Sequence, residues 1–422
     1  MKQPIVTIVT PSYNQGRFIR ATIESVLSQN YPNIEYIIMD GGSTDETAAI
    51  AREYSNQLTF ISEKDRGQSH AINKGFHIAR GEIVSWLNSD DVILPGAVAR
   101  AAREFERIPT LGALYGEGYF IDDAGKIKSR FPYSQPFNLW KLIYVSDYIL
   151  QQTVYFRRSV FDEIGFLNEN LHWSMDWDIL IRIGKCFWIE YIPQDMGCLR
   201  QHQEAKTFSG GHKRFRELVA LLRACGHLRY PPAYFSYGLD TYQAIVCGYL
   251  PFDWLRRAVS RLAVQCYSPI TEHCQGIYAD GWAGKEAKYM LPAGCGKISI
   301  TGTLPDIATL REQCLEISCD GSVVSRRELS FGEFQIEFDW EGRERQPVYI
   351  EIKASKGFVP SRFGDSRRLA YKLTKIDRSD SPESFHQSLV EGKDAPSRGR
   401  QAVPASINGR TMPRVGSGGF DY

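Results

Sequence analysis

Hydrophobic and polar positions alternate in blocks along the first half of the chain. Residues 4–10 (PIVTIVT) are apolar or β-branched, the pattern of a strand buried on both faces. Helical spacing follows at Phe18, Ile19, Ile23, Val26 and Leu27, predicting a helix over 17–29. The pattern then repeats. Strands are predicted at 34–39, 58–61 and 83–87, and helices from the Ser43–Glu46 capping box to about 54, over 68–79 and over 97–107. Strands alternating with helices every two dozen residues or so imply βαβ units, a mostly parallel sheet and right-handed crossovers.

Beyond this the pattern changes. Residues 112–131 read as two strands around an Asp-Ala-Gly turn, and 132–150 as a long aromatic-rich loop. A short strand (151–156), a helix closed by Gly165, a helix from Met175 with an inward stripe at 177, 180 and 181, and a strand at 187–192 follow. Residues 212–268 are helical by pattern, interrupted at Pro231-Pro232. From Ile270 the period falls to two, with Asp320-Gly321 as a hairpin turn, as expected of a β-sandwich. After about 379 Ser, Pro, Gly and Arg dominate, the composition of a disordered tail. The expected division is 1–228, an α/β domain; 229–269, a helical linker; 270–378, the β-sandwich; and 379–422, the tail.

Composition narrows the class. With 43% hydrophobic and 23% charged residues the chain is an ordinary globular protein, and its formal charge of +1 gives no reason to expect nucleic acid as a partner. Nine cysteines, none in a Cys-x-x-Cys pair, indicate neither a zinc site nor a disulfide framework, and fit a reducing cytoplasm. Met1–Val6 runs straight into a strand pattern, unlike a signal peptide, and no apolar run reaches membrane-spanning length. The basic amphipathic stretch 254–262 suits either an anionic membrane surface or, more commonly, packing on its own domain, so a peripheral place on the inner face of the cell membrane is the alternative localisation.

The chemistry concentrates at strand ends. Each strand of the first half runs into a polar or acidic cluster: Thr10–Asn14, Asp40, Glu63–Asp65 and Asn88–Asp91. Strand ends of a parallel sheet share one edge, where ligands of open α/β sheets bind. Carboxylates there suit a hard divalent cation holding a pyrophosphate, although Asp90 and Asp91 read equally well as a polar turn capping the next helix. Asp176 and Asp178, two apart on a helix, point roughly opposite ways, so only one can serve a given site. Asp176, at the helix start, is the one expected to face the crevice.

These residues resemble the family-2 glycosyltransferases of the GT-A fold, over about residues 4–215. The match is carried by Thr10-Pro11-Ser12-Tyr13-Asn14, Met39–Asp45, Asp65–Gly75, Trp86–Asp91, Gln152, Met175–Asp178 and Arg200-Gln201-His202. It implies a Rossmann-like, mostly parallel α/β sheet flanked by helices, binding a nucleotide-diphosphate sugar, UDP- or dTDP-linked. Donor-binding roles fall on Thr10, Pro11, Tyr13, Asn14, Asp40 (to the nucleobase), Asp65, Arg66, Gln68, Asn73, Trp86 and Asp90. Mn²⁺ or Mg²⁺ is implied at Asp91, Asp90 and His202, with Asp91 the direct ligand. Asn88 departs from the family's Asp-x-Asp and removes a charge. Asp176 matches the catalytic base, and membership implies inversion. Cell-surface polysaccharide assembly on a glycan or lipid-linked acceptor is the implied setting. The sandwich, with Gly276–Trp282 near its start, resembles a β-domain appended to some bacterial glycosyltransferases.

Rival functions lack their motifs. No Gly-x-Gly-x-x-Gly follows the first strand and no Gly-x-x-x-x-Gly-Lys-Ser/Thr occurs, which sets aside a nicotinamide dehydrogenase and a P-loop kinase. A sugar-1-phosphate nucleotidyltransferase would want a Gly-rich basic loop there. A catalytically inactive nucleotide-sugar or glycan-binding protein remains the alternative, against which Asp40, Asp91 and Asp176 stand together.

Overall fold

The computed structural model describes residues 3–378 apart from 203–205, 207–209, 227, 274–275, 278–280, 295, 308–309, 311, 342–345 and 360–368. The expected tail at 379–422 lies outside the described residues. The first half runs β1 (Val6–Ser12), α1 (Gly16–Leu27), β2 (Ile34–Asp40), α2 (Thr47–Glu53), β3 (Thr59–Ser62), α3 (Gln68–Ile78), β4 (Ile83–Trp86), β5 (Val92–Ile93), α4 (Ala97–Arg107), β6 (Leu111–Ile121) and β7 (Ile127–Arg130). It continues with α5 (Leu139–Tyr144), a 3₁₀ turn (Gln151–Thr153), β8 (Tyr155–Arg157), α6 (Val160–Ile164), α7 (Met175–Cys186) and β9 (Trp188–Arg200).

Nine strands form one mixed sheet in the order β3-β2-β1-β4-β8-β6-β9-β5, with β7 beside β6. The first four are parallel, so Ser12, Asp40 and Ser62 end level on one edge. β8 turns the sheet by pairing antiparallel with both β4 and β6, while β6 and β9 run parallel. β1 is buried along its whole length, as its unbroken apolar run requires. The strand expected at 151–156 starts later, because Gln151–Thr153 make a 3₁₀ turn first, and the one expected at 187–192 runs on to Arg200.

The capping box is replaced by another arrangement. α2 begins at Thr47, and Asp45 rather than Ser43 satisfies its start, with Oδ1 accepting the Thr47 N–H at 3.0 Å. The other Asp45 oxygen accepts the Gly16 N–H at 2.8 Å, and Thr47 Oγ1 accepts that of Gln15, so one loop caps two helices. A Cβ on Gly16 would lie 3.1 Å from Asp45 Oδ2, which favours glycine there. A tighter passage joins β6 to β9: a Cβ on Gly118 would come within 1.9 Å of the Gly197 carbonyl.

After β9 come three helices, α8 (Gly211–Cys225), α9 (Pro232–Tyr249) and α10 (Asp253–His273). The period-two region forms β10 (Trp282–Gly284), β11 (Glu286–Leu291), β12 (Gly296–Leu304), β13 (Glu312–Cys319), β14 (Ser322–Ser330), β15 (Gly332–Trp340), β16 (Val348–Ala354) and β17 (Leu369–Arg378). These make two four-stranded antiparallel sheets, β10-β17-β12-β15 and β11-β16-β13-β14. The second sheet meets the α/β region through β11. Lys288 lies over the Trp140 ring of α5 at 5.6 Å, Met290 is buried in the same apolar cluster as Trp140 and Tyr148, and Ala293 donates to the Lys185 carbonyl at 2.8 Å.

Candidate active site

Three strand ends lock together at the parallel edge. Asn14 takes a left-handed conformation (φ 54°), which lets its N–H reach Ser43 Oγ at 2.8 Å while its side-chain oxygen accepts the Thr44 N–H at 2.8 Å. Asp40 is buried. Its carboxylate accepts from the Gly42 and Ser43 N–H groups, from the Ser43 hydroxyl and from Ser62 Oγ at 2.6 Å. Its direct partners are thus the loop it shapes, rather than open solvent where a base would enter. Asp65 accepts the Gly67 N–H at 2.8 Å, and a Cβ on Gly41 would meet Asp65 Oδ2 at 2.7 Å, so those two loops touch. Tyr13 is exposed above them. Thr10 and Pro11 are buried in β1, with Thr10 Oγ1 against Tyr36 Oη at 3.1 Å.

Two expected rim residues sit elsewhere. The Trp86 ring is core, only 1% exposed and stacked face to face on Phe156 with centroids 5.4 Å apart. Its apolar strand carries it inward, and only its carbonyl reaches the site, accepting from Gln151 Nε2 at 2.9 Å. Asn73 is likewise turned away. Its amide accepts the Leu167 N–H and donates to the Leu167 carbonyl and to Glu169, which also pairs with Arg66. It therefore holds the 167–169 loop and, through Glu169, Arg66.

The Asn88–Asp91 turn separates its two carboxylates by role. Asp91 is 1% exposed, and both its oxygens are taken: Oδ1 by the Arg200 N–H at 2.8 Å, Oδ2 by Gln152 Nε2 at 2.6 Å and Asn88 Nδ2 at 3.1 Å. Burial, with the Asp90 charge beside it, pushes its carboxyl well above the ordinary range. Asp90 is the more accessible one, its side chain 21% exposed, and its Oδ2 stands 3.0 Å from His202 Nε2. Asp91, expected as the direct metal ligand, thus has both oxygens engaged by the protein, whereas Asp90 has one oxygen directed at His202. Arg200 braces the turn by donating to the Asp90 carbonyl at 2.6 Å and lies over Phe18 at 5.0 Å.

The donor set suits a divalent metal. A carboxylate oxygen and an imidazole nitrogen 3.0 Å apart match the spacing of adjacent ligands around a hard cation with bonds of about 2.1 Å. His202 Nδ1 is buried with no hydrogen-bond partner among the described residues, so the ring's orientation is set by what its Nε2 faces. Asp90 and His202 are few ligands, as expected where substrate phosphates and water complete the shell.

A second carboxylate centre lies at the start of α7. Asp176 is half-buried there, and the turn before it is pinned by Glu217, which accepts the N–H groups of His172, Trp173 and Ser174 at 2.7–2.9 Å. Burial raises the Asp176 carboxyl, opposed by Lys206 and Arg214. Asp147, from the aromatic 132–150 segment, is raised by its own burial and by the Asp176 charge. A polar chain joins the two centres: Asn88 Oδ1 accepts from Gln68 Nε2 at 2.7 Å, and Gln68 Oε1 accepts from Lys206 Nζ at 2.9 Å. Lys206 in turn feels the Asp176 charge. Asp178 points away to Arg182, at 2.7 Å.

Sequence reasoning missed Asp147, Gln151, Lys206, Arg214 and Glu217. Each reaches the site by tertiary packing. Gln151 alone had a local signal, as neighbour of the motif residue Gln152.

Residues 7–165 match the family model described as Glycosyl transferase family 2. An uncharacterized glycosyltransferase of Rickettsia prowazekii is 29% identical over 184 residues, covering 42% of this chain and 57% of that protein. Chondroitin synthase of Escherichia coli is 31% identical over 186 residues, covering 43% of this chain and 27% of that protein. The chain thus spans less than two thirds of either. Among solved structures, a Pyrobaculum calidifontis mannosyltransferase in complex with GDP-Man and Mn²⁺ aligns at TM-score 0.45 and 19% identity, over 64% of this chain and 83% of that one. S. aureus TarS in complex with UDP-GlcNAc aligns at TM-score 0.43 and 15% identity, over 66% and 84%. On the family match and these relatives, the chain carries a glycosyl transferase family 2 domain.

Proposed function

We infer that this chain is an inverting, metal-dependent glycosyltransferase that moves a sugar from a nucleotide-diphosphate donor to an acceptor hydroxyl. The observation carrying the reading is the pairing of two centres at one sheet edge: Asp90 with His202, and Asp176 on the far side of the Gln68–Lys206 bridge. The nucleotide lies against the Tyr13–Asn14, Asp40–Ser43 and Asp65–Gly67 loops, with Asp40 shaping the base end. Asp90 and His202 hold the cation, and Asp91 fixes their turn. When bound, Mn²⁺ or Mg²⁺ stabilises the charge that develops on the leaving diphosphate.

Asp176 takes the proton of the acceptor hydroxyl as its oxygen attacks the anomeric carbon. The new carbon–oxygen bond forms while the bond to the diphosphate breaks, and attack opposite the leaving group inverts the centre. A base so placed contributes roughly 10²–10⁴-fold. A raised carboxyl pKa suits the task, bringing the base nearer to neutral. The donor is a uridine or thymidine diphosphate sugar, the acceptor a glycan or lipid-linked glycan of the cell surface, and residues 1–228 are the transferase unit.

The test is calorimetric titration of nucleoside diphosphates with and without Mn²⁺, followed by transfer assays on the Asp176→Asn variant. Metal-dependent binding with transfer lost in Asp176→Asn supports the reading. Absence of binding by any nucleotide in the folded protein overturns it.

A further inference from the structure

Helices α9 and α10 form an antiparallel hairpin that stands outside the site. They are joined by Leu250–Phe252 and held across by Gln243 Nε2 on Ser260 Oγ at 2.9 Å, while Arg256 Nε donates to the Leu250 carbonyl at 2.8 Å and closes the tip. The hairpin tip is apolar and in solvent. Tyr249 is 86% exposed, Trp254 64% and Phe252 57%, and the last two rings stack with centroids 6.4 Å apart. One turn back on α9, Ile245 and Val246 are exposed as well. A protein core does not leave three neighbouring aromatic side chains this open.

Charge gives the occupant. Residues 245–262 contain three arginines, Arg256, Arg257 and Arg261, against the single Asp253. All three arginine side chains are exposed, and on α10, at 1.5 Å per residue, they lie within about 12 Å of the tip. An aromatic tip with an arginine collar matches a membrane interface. Trp and Tyr favour the headgroup layer, and long basic side chains bury their stems while their charges meet lipid phosphates. None of the described helices is long and apolar enough to cross a membrane, so the contact would be peripheral.

We propose that the α9–α10 tip docks on an anionic lipid bilayer, its aromatic side chains in the headgroup layer and Arg257 and Arg261 against lipid phosphates. The hairpin's base lies beside the second carboxylate centre. Tyr237 of α9 accepts the Asp147 N–H at 3.3 Å and packs on Trp177 at 5.5 Å. The inference stands apart from the transferase reading, since its test reads binding alone.

The experiment is flotation of the full chain with phosphatidylcholine vesicles, with and without phosphatidylglycerol, at low and high salt. The parent protein is expected to float with the anionic vesicles only, and less at high salt. Arg257→Glu/Arg261→Glu should weaken binding by at least about five-fold per arginine, and Phe252→Ser/Trp254→Ser should abolish it, while both variants melt with the parent. Equal binding to neutral and anionic vesicles, or unchanged binding by either variant, overturns the proposal. So does a solution dimer that fails to float and that Phe252→Ser/Trp254→Ser dissociates, because the tip would then be covered by a second copy.

Discussion

Asp90 and Asp91 are adjacent, and substituting each with alanine should have opposite consequences. Asp91→Ala removes an acceptor from three donors, the Arg200 N–H, Gln152 Nε2 and Asn88 Nδ2, of which Asn88 Nδ2 keeps Gln151 Oε1 at 3.3 Å. A buried donor left unsatisfied costs about 1–3 kcal/mol, so the two left without an acceptor should destabilise by about 2–6 kcal/mol. For a unit of 150–250 residues that lowers the melting temperature by roughly 10 °C. Asp90→Ala leaves a single group, the buried His202 Nε2, without its partner, and should cost about 1 kcal/mol, the lower end for one unsatisfied group. Its effect should instead fall on ligand binding. Mn²⁺ should no longer tighten nucleoside diphosphate binding, and His202→Ala should behave likewise. Thermal unfolding and calorimetric titration on the same preparations decide the matter. Should Asp91→Ala melt with the parent and lose the metal effect while Asp90→Ala keeps it, the roles assigned to the two carboxylates are reversed and the reasoning fails.

Further outcomes follow from the same geometry. Asp176→Asn should bind nucleotide like the parent and lose transfer by about 10²–10⁴-fold, and near-normal turnover would remove Asp176 as base. Because a base works deprotonated and burial raises the Asp176 carboxyl, kcat/KM should rise with pH through a value above the ordinary carboxylate range of about 4. Gly118→Ala places a methyl 1.9 Å from the Gly197 carbonyl, and should destabilise by at least about 1–3 kcal/mol as the β6–β9 pair is forced apart, read by denaturant midpoint.

The hydrophobic pattern carried the βαβ half because its strands are short, largely apolar runs bounded by turn chemistry, as β1 and β4 are. It carried the sandwich for the complementary reason, since strands such as β12 and β13 bury one face and alternation survives. What failed locally was decided by distant partners. The Ser43–Glu46 box reads as a helix start, yet Asp40 and Asn14 claim Ser43 and leave Asp45 to cap. Trp86 lies in a motif, but its strand alternation sends the ring to Phe156. The difference between Asp90 and Asp91 was illegible for the same reason. Adjacent carboxylates are indistinguishable in a sequence until Arg200 and Gln152, about 110 and 60 residues away, claim one of them.

The two carboxylate centres are connected through groups that no single stretch contains. Gln68 opens α3, Asn88 follows β4, and Lys206 comes after β9. Lys206 reaches Gln68 from the same chain exit that presents His202 to Asp90, four residues earlier. The positive charge of Lys206 opposes the rise that burial imposes on the Asp176 carboxyl. That is the physical ground for expecting Lys206→Met to alter the pH limb of transfer without abolishing nucleotide binding. A limb unchanged in Lys206→Met would leave the two centres independent.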